Sequence, residues 1–274
     1  MQKALKTMSS AAVLAFAAIG IPSAARADGV ATPCTTLAAS ADGTSSVAAA
    51  CTAEKGQALL ELGYANRSRA DAAGSGATIY PSATLRYGVS SKLEIDADAG
   101  PYVRLRSSGA TAHGYGDSGL GLRYRVLGTG RTVVTAVATT TLPTGSSSYG
   151  AGKPQYSLGV AGRFALGSTL NLESSIAYDS KYLSASGLNP AWYASYVPAL
   201  ALVTSPSQHT SFYVGGSGTT KAAPGLGPEY ALGAGVRREL GKRTVVDLGL
   251  KDGLTLVNGI RSHEIAFALT QLVK

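Results

Sequence analysis

Glu94, Asp96 and Asp98 recur at every second position of SKLEIDADAG (residues 91–100), with Leu93, Ile95, Ala97 and Ala99 between them. Carboxylate oxygens are hard donors, the type a divalent cation takes, so a metal site is the first chemistry to consider. Alternate residues of one strand, however, project in parallel rather than converging on a point. Arginines also crowd the flanking segments, Arg86 ahead of this stretch and Arg123 and Arg125 behind it. The spacing therefore favours a charge ladder balanced by arginine, and no metal is expected.

Other chemistry-bearing residues are weaker still. His113, His209 and His263 fall in a long loop, a short turn and the start of the last strand, with no partner at metal-ligand spacing. GYGDSG (114–119) matches the dinucleotide fingerprint, but that motif needs a helix after it, and LGLRYRV reads as a strand. NRS (66–68) has the glycosylation pattern without informing function. No cofactor is expected, and an enzyme is the poorest of the readings.

The elements that position the acidic triplet follow from the whole chain. Lys3 and Lys6, an apolar run from Ala11 to Ile21, and Ala25-Arg26-Ala27 read as a secretory signal peptide over 1–27. That apolar run is too short for the roughly 20 residues of a membrane helix. Without Lys3, Lys6 and Arg26 the net charge falls from +8 to about +5, and the basic residues are dispersed, so no nucleic-acid partner is expected. In an exported chain the two cysteines, Cys34 and Cys51, are most simply a disulfide, worth about 3 kcal/mol by loop entropy. They bracket a small, polar tract within 28–56, expected to be a periplasmic segment or a plug.

From Gln57 to the C-terminus the dominant period is two. ALLELGYA sets Leu60, Leu62 and Tyr64 against Glu61 and Gly63, and SATLRYG sets Ala83, Leu85 and Tyr87 against Thr84 and Arg86. GLGLRYRV, TVVTAVATTT, QYSLGVAGRF, TLNLESSIAYD, WYASYVPALAL, TSFYVGGSG, EYALGAGVRRE, TVVDLGLKD and SHEIAFALTQL continue the rhythm, which makes about twelve strands over 57–274. Short connections (GVSSK, LGTGR, ALGS, TSPSQH, LGKR) alternate with long polar ones (RSRADAAGSG, RLRSSGATAHG, LPTGSSSYGAGKP, SKYLSASGLNPA, TTKAAPGLGP, GLTLVNGIR), as a barrel with short periplasmic turns and long external loops requires. The expected fold is all-β: a transmembrane antiparallel barrel, with loops 142–154 and 180–191 constricting its mouth. Tyrosines on the apolar parity are expected to form interfacial girdles, although Tyr80, Tyr102 and Tyr115 fall on the wrong parity or at strand margins.

One face of these strands carries the charge: Glu61, Arg86, Glu94, Asp96, Asp98, Arg123, Arg125, Arg163, Glu173, Glu229, Arg237, Asp247, Lys251 and Glu264. An Arg or Lys facing lipid at the midplane costs about 2–4 kcal/mol, so the charged face is expected to line the lumen. Closing the turn after Gly88 is expected to set Arg86 directly opposite Glu94.

GQALLELGY, PSATLRYGVSSKLEI, GYGDSGLGLRYRVL and TTTLPTGSSS, in that order and over roughly residues 57–180, resemble a family of bacterial outer-membrane transporter-like proteins named for the MetA-pathway of phenol degradation. The resemblance implies an outer-membrane barrel that passes small, often aromatic, compounds. It carries no ligand residues over. The expected partners are outer-membrane lipid, a small-molecule solute and the outer-membrane assembly machinery, in a Gram-negative host. The alternatives are a plugged barrel without transport and, a distant third, a lipid hydrolase depending on His113 or His263.

Overall fold

Period-two alternation from Ala58 onward forms an antiparallel sheet that closes on itself. In the computed structural model, which describes residues 34–69, 76–107, 110–183, 190–255 and 261–274, the strands are β1 (Ala58–Arg69), β2 (Gly76–Gly88), β3 (Leu93–Ala99), β4 (Tyr102–Ser107), β5 (Ala110–Tyr115), β6 (Ser118–Thr129) and β7 (Thr132–Leu142). They continue as β8 (Gln155–Ala165), β9 (Leu170–Leu183), β10 (Ala191–Ser207), β11 (Thr210–Thr219), β12 (Glu229–Leu240), β13 (Thr244–Gly253) and β14 (Ser262–Leu272). β1 pairs with both β2 and β14, from Leu59 opposite Leu272 to Arg69 opposite Ser262, so the sheet has no free seam. The expected signal peptide at 1–27, with the chain up to residue 33, lies outside the described residues.

The fourteen strands make twelve barrel staves. β3 and β4 are one stave broken at Gly100-Pro101, because both pair with β2; β5 and β6 are the next, broken at Gly116-Asp117. Proline cannot donate to the ladder, and the two breaks brace each other through Gly116 N–H to Pro101 O at 2.8 Å. Level with them, the β1–β2 register slips between Gly63 and Ala65. Each irregularity flips side-chain parity, as an extra unpaired residue must. Tyr80, Tyr102 and Tyr115 therefore face outward with Tyr64, their rings stacked in a chain at 5.4–5.9 Å between centroids. Their apparent misplacement in the sequence is the imprint of these breaks.

The outward face is hydrocarbon: Leu85, Ile95, Leu120, Leu122, Leu158 and Ile265 are all exposed. The inward face carries the charge, with Arg86 and Glu94 both 0% exposed. Among the described residues no helix is long and apolar enough to cross a membrane. The observed order is that of a closed twelve-stave transmembrane barrel with short turns at one rim and longer connections at the other.

Two expectations need correcting. RLRSSGATAHG is not a loop: Val103 to Ser107 and Ala110 to Gly114 pair as a hairpin that extends the wall beyond the breaks. Arg86 stands opposite Asp96, not Glu94, because Val89–Lys92 are spent in the turn, where Val89 N–H meets Leu93 O at 2.8 Å. The guanidinium nonetheless reaches Glu94 diagonally, within the range of a long side chain.

Candidate functional site

Near the short-turn rim the inward charges form a ring of pairs. Arg86 Nε donates to Glu94 Oε1 at 2.8 Å and Nη1 to Glu61 Oε1 at 3.0 Å. Arg123 Nε donates to Asp96 Oδ2 at 2.8 Å, Arg163 bonds Glu173 on the next strand, and Arg237 Nε donates to Asp247 Oδ2 at 3.0 Å. Arg163–Glu173 and Arg237–Asp247 are directly opposite in register, the arrangement in which cross-strand charges interact best. Charge-assisted bonds of this kind satisfy groups that burial would otherwise leave costly.

The rest of the ring's bonding goes to the segment before β1. Cys34 and Cys51 are bridged, with Cα atoms 5.5 Å apart, which closes a loop containing a short helix α1 (Leu37–Ser40) capped by Thr36. Backbone and hydroxyl groups of this segment meet most of the wall. Arg86 donates to the Ser40 and Cys51 carbonyls, Arg237 Nη1 to Ala38 O at 2.7 Å, Thr135 Oγ1 to Ala50 O at 2.5 Å, and Arg125 Nη2 to Thr52 Oγ1 at 2.6 Å. In return Ala38 N–H donates to Glu239 Oε1 at 2.9 Å, and Ala53 N–H to Glu94. Small apolar contacts fill the gaps, Val47 against Ala199 and Ala201, and Ala50 against Val133 and Ala161. A small-residue tract is what fits between charged walls, and Gly88 is part of the fit because a Cβ there would strike the Glu54 carbonyl.

Asp42 and Thr44 are the anchors. Arg123 Nη1 and Nη2 reach the two Asp42 oxygens at 3.1 and 2.5 Å, while Ala49 N–H donates to Asp42 Oδ1 at 2.7 Å. Burial works to raise the Asp42 carboxyl, but Arg123 and Arg86 outweigh it and hold the group well below the usual carboxylate range. Thr44 Oγ1 donates to Asp247 Oδ1 at 2.6 Å, and Tyr213 OH donates to the same oxygen at 3.0 Å. Gly43 turns the chain between the anchors at φ +60°, where a Cβ would also collide with Asp247.

Asp42, Thr44, Tyr213 and Glu239 were absent from the expected set. The one local signal for them is Asp42-Gly43, a turn dipeptide. Toward the long-loop rim the lumen opens into a cavity of about 340 Å³. Ser46 of the segment, Arg67, Thr219, Glu229, Lys251 and Glu264 are among its lining residues. Glu264 is held there between Arg67 Nη2 at 2.9 Å and Lys251 Nζ at 3.3 Å. Asp98 accepts from Thr84 Oγ1 at 2.6 Å and has no cationic partner among the described residues.

Loop 142–154 does not hang free over the mouth: Gly145 and Ala151 N–H both donate to Asp117 at 2.8 Å, which ties the loop to the β5–β6 break. Residues 184–189 of the other expected constriction lie outside the described residues. The histidines are scattered. His113 stacks on Tyr102, His209 lies 3.7 Å from Glu239, and His263 pairs with Asp252 at 2.9 Å on the outward face.

Three solved structures share this architecture. The COG4313 outer membrane channel from Pseudomonas putida F1 is 16% identical with a TM-score of 0.66, over 81% of this chain and 97% of that one. The NanC porin is 9% identical with a TM-score of 0.54, over 77% and 98%. The translocator domain of the autotransporter NalP from Neisseria meningitidis is 11% identical with a TM-score of 0.53, over 80% and 89%. At such identities the likeness is one of fold. No curated protein sequence matches the chain. The model of the family described as the MetA-pathway of phenol degradation matches residues 38–263, most of the chain, and the protein belongs to that family.

Proposed function

We propose that the protein is a passive outer-membrane channel for small, aromatic or hydrophobic compounds, with residues 28–56 acting as a plug in its inner half. The carrying observation is the cavity of about 340 Å³ between Ser46 of the segment and the long-loop rim, large enough for a solute of modest size. The charged ring beneath it fits a lumen wall, where Glu61, Arg86, Glu94, Arg123, Arg125, Arg237 and Asp247 hold the segment, Asp96, Arg163 and Glu173 pair within the wall, and Asp98 and Lys251 lie toward the opening. Family membership supports the solute class, and the outer membrane channel from Pseudomonas putida F1 supports the mode of action. On this reading residues 1–27 direct export, the assembly machinery inserts the barrel in a Gram-negative outer membrane, lipid surrounds it, and no catalytic residue is assigned.

Refolded protein in planar bilayers tests the reading. Measurable conductance, altered by simple phenols and raised when residues 28–56 are deleted, is expected. Silence from both the full chain and the deletion would sink the channel. A specific observation favours the second reading, a permanently plugged barrel: the segment bonds to most of the staves around the ring. A silent full chain with a conducting deletion would establish it.

A further inference from the structure

We infer that the outward face of the β4–β5 hairpin binds the phosphate of a phosphorylated glycolipid headgroup in the outer leaflet. The inference rests on the channel reading and on the orientation expected from the connections, with the long-loop rim outside the cell. The parity flip at Gly100-Pro101 decides it: had β3's alternation continued, Arg104 and Arg106 would face the lumen, yet they share the face of Tyr102, which stacks on Tyr80 outside. Arg104 stands opposite His113, and Arg106 opposite Thr111. Neither guanidinium has a carboxylate or hydrogen-bond partner among the described residues, and both side chains are exposed.

The vertical order matches a lipid. Tyr64, Tyr80, Tyr102, Tyr115 and His113 form a continuous ring cluster, the belt that sits where hydrocarbon gives way to headgroups. Strands rise about 3.3 Å per residue, so Arg104 lies about 7 Å and Arg106 about 13 Å beyond Tyr102 along β4. Two guanidinia just above an aromatic belt stand at headgroup-phosphate depth, and their planar forks suit phosphate oxygens bidentately. The rings beneath offer apolar cover for acyl chains and sugar, which inorganic phosphate would not use.

The test uses the full chain folded in detergent micelles. Native mass spectrometry counts retained bisphosphorylated lipid A against its dephosphorylated form. Preferential retention of the phosphorylated lipid, weakened roughly ten- to thirty-fold in the Arg104→Gln, Arg106→Gln double variant, is expected. Equal retention of the two lipids by the unmodified protein would overturn the site without needing any variant. So would millimolar inorganic phosphate displacing the lipid, or a folded double variant that retains it as well as the parent. Conductance separates this claim from the channel reading, since a variant that loses the lipid should still conduct as the parent does.

Discussion

Arg123 of β6 grips Asp42 of the inner segment with both terminal nitrogens, while its Nε holds Asp96 of the neighbouring stave. One guanidinium thus ties the segment to the wall and the wall to itself. Asp42→Ala removes the segment's partner and leaves Arg123 half satisfied. Hydrogen bonds to charged groups contribute about 1.5–3 kcal/mol each, so undocking should become at least ten-fold more frequent. Hydrogen exchange at the amides of 38–53 measures this, and unchanged protection would show that Asp42 anchors nothing.

The same residue sets a pH expectation. Its folded-state value is depressed, so its contribution is fully present above the unfolded carboxylate range near 4 and is lost only as pH falls through the lower folded value. The difference in segment protection between the parent and Asp42→Asn should therefore stay constant from pH 7 to pH 5. A difference that shrinks across that window would mean that Asp42 is not held in its charged form.

The bridge between Cys34 and Cys51 closes the loop that meets the wall. Cross-linking a loop of this size removes about 3 kcal/mol of unfolded-state entropy. With both cysteines changed to serine, the barrel should keep its folded gel mobility while the segment exchanges faster and bilayer conductance rises or flickers. Equal conductance and equal exchange would place the bridge outside the docking equilibrium.

How much of this was legible in the sequence depends on what a period of two can carry. It reports which residues share a face over a few positions, and that suffices for twelve staves and for an inward set running from Glu61 to Lys251. It cannot report a slip. Parity carried from Leu85 misplaces Tyr80, and parity carried from Asp98 would misplace Arg104, because Pro81, Gly100-Pro101 and Gly116-Asp117 each reset the phase. Arg86 and Glu94 were legible as partners although their register was not, since a long guanidinium tolerates a diagonal. Asp42 and Thr44 sit in ADGTSS, which has no periodicity, and only the folded ring shows what they face.

Asp96 and Asp98 look equivalent in sequence, and the structure separates them. Asp96 is pinned by Arg123 at 2.8 Å with Arg86 at 3.9 Å, so its charge is compensated within the ring. Asp98, two residues nearer the opening, meets a threonine hydroxyl and the bare backbone of Gly119. Ion preference in a pore follows the charges that mobile ions meet uncompensated. Asp98→Asn should therefore lower cation over anion permeability several-fold, read as a shift of reversal potential in a salt gradient. Asp96→Asn should leave the reversal potential nearly unmoved and instead loosen the ring, by about 1–3 kcal/mol for the charged bond lost to Arg123. If Asp98→Asn shifts nothing in a conducting channel, Asp98 belongs to the wall alone, and the opening's preference rests with Arg67, Lys251 and Glu264.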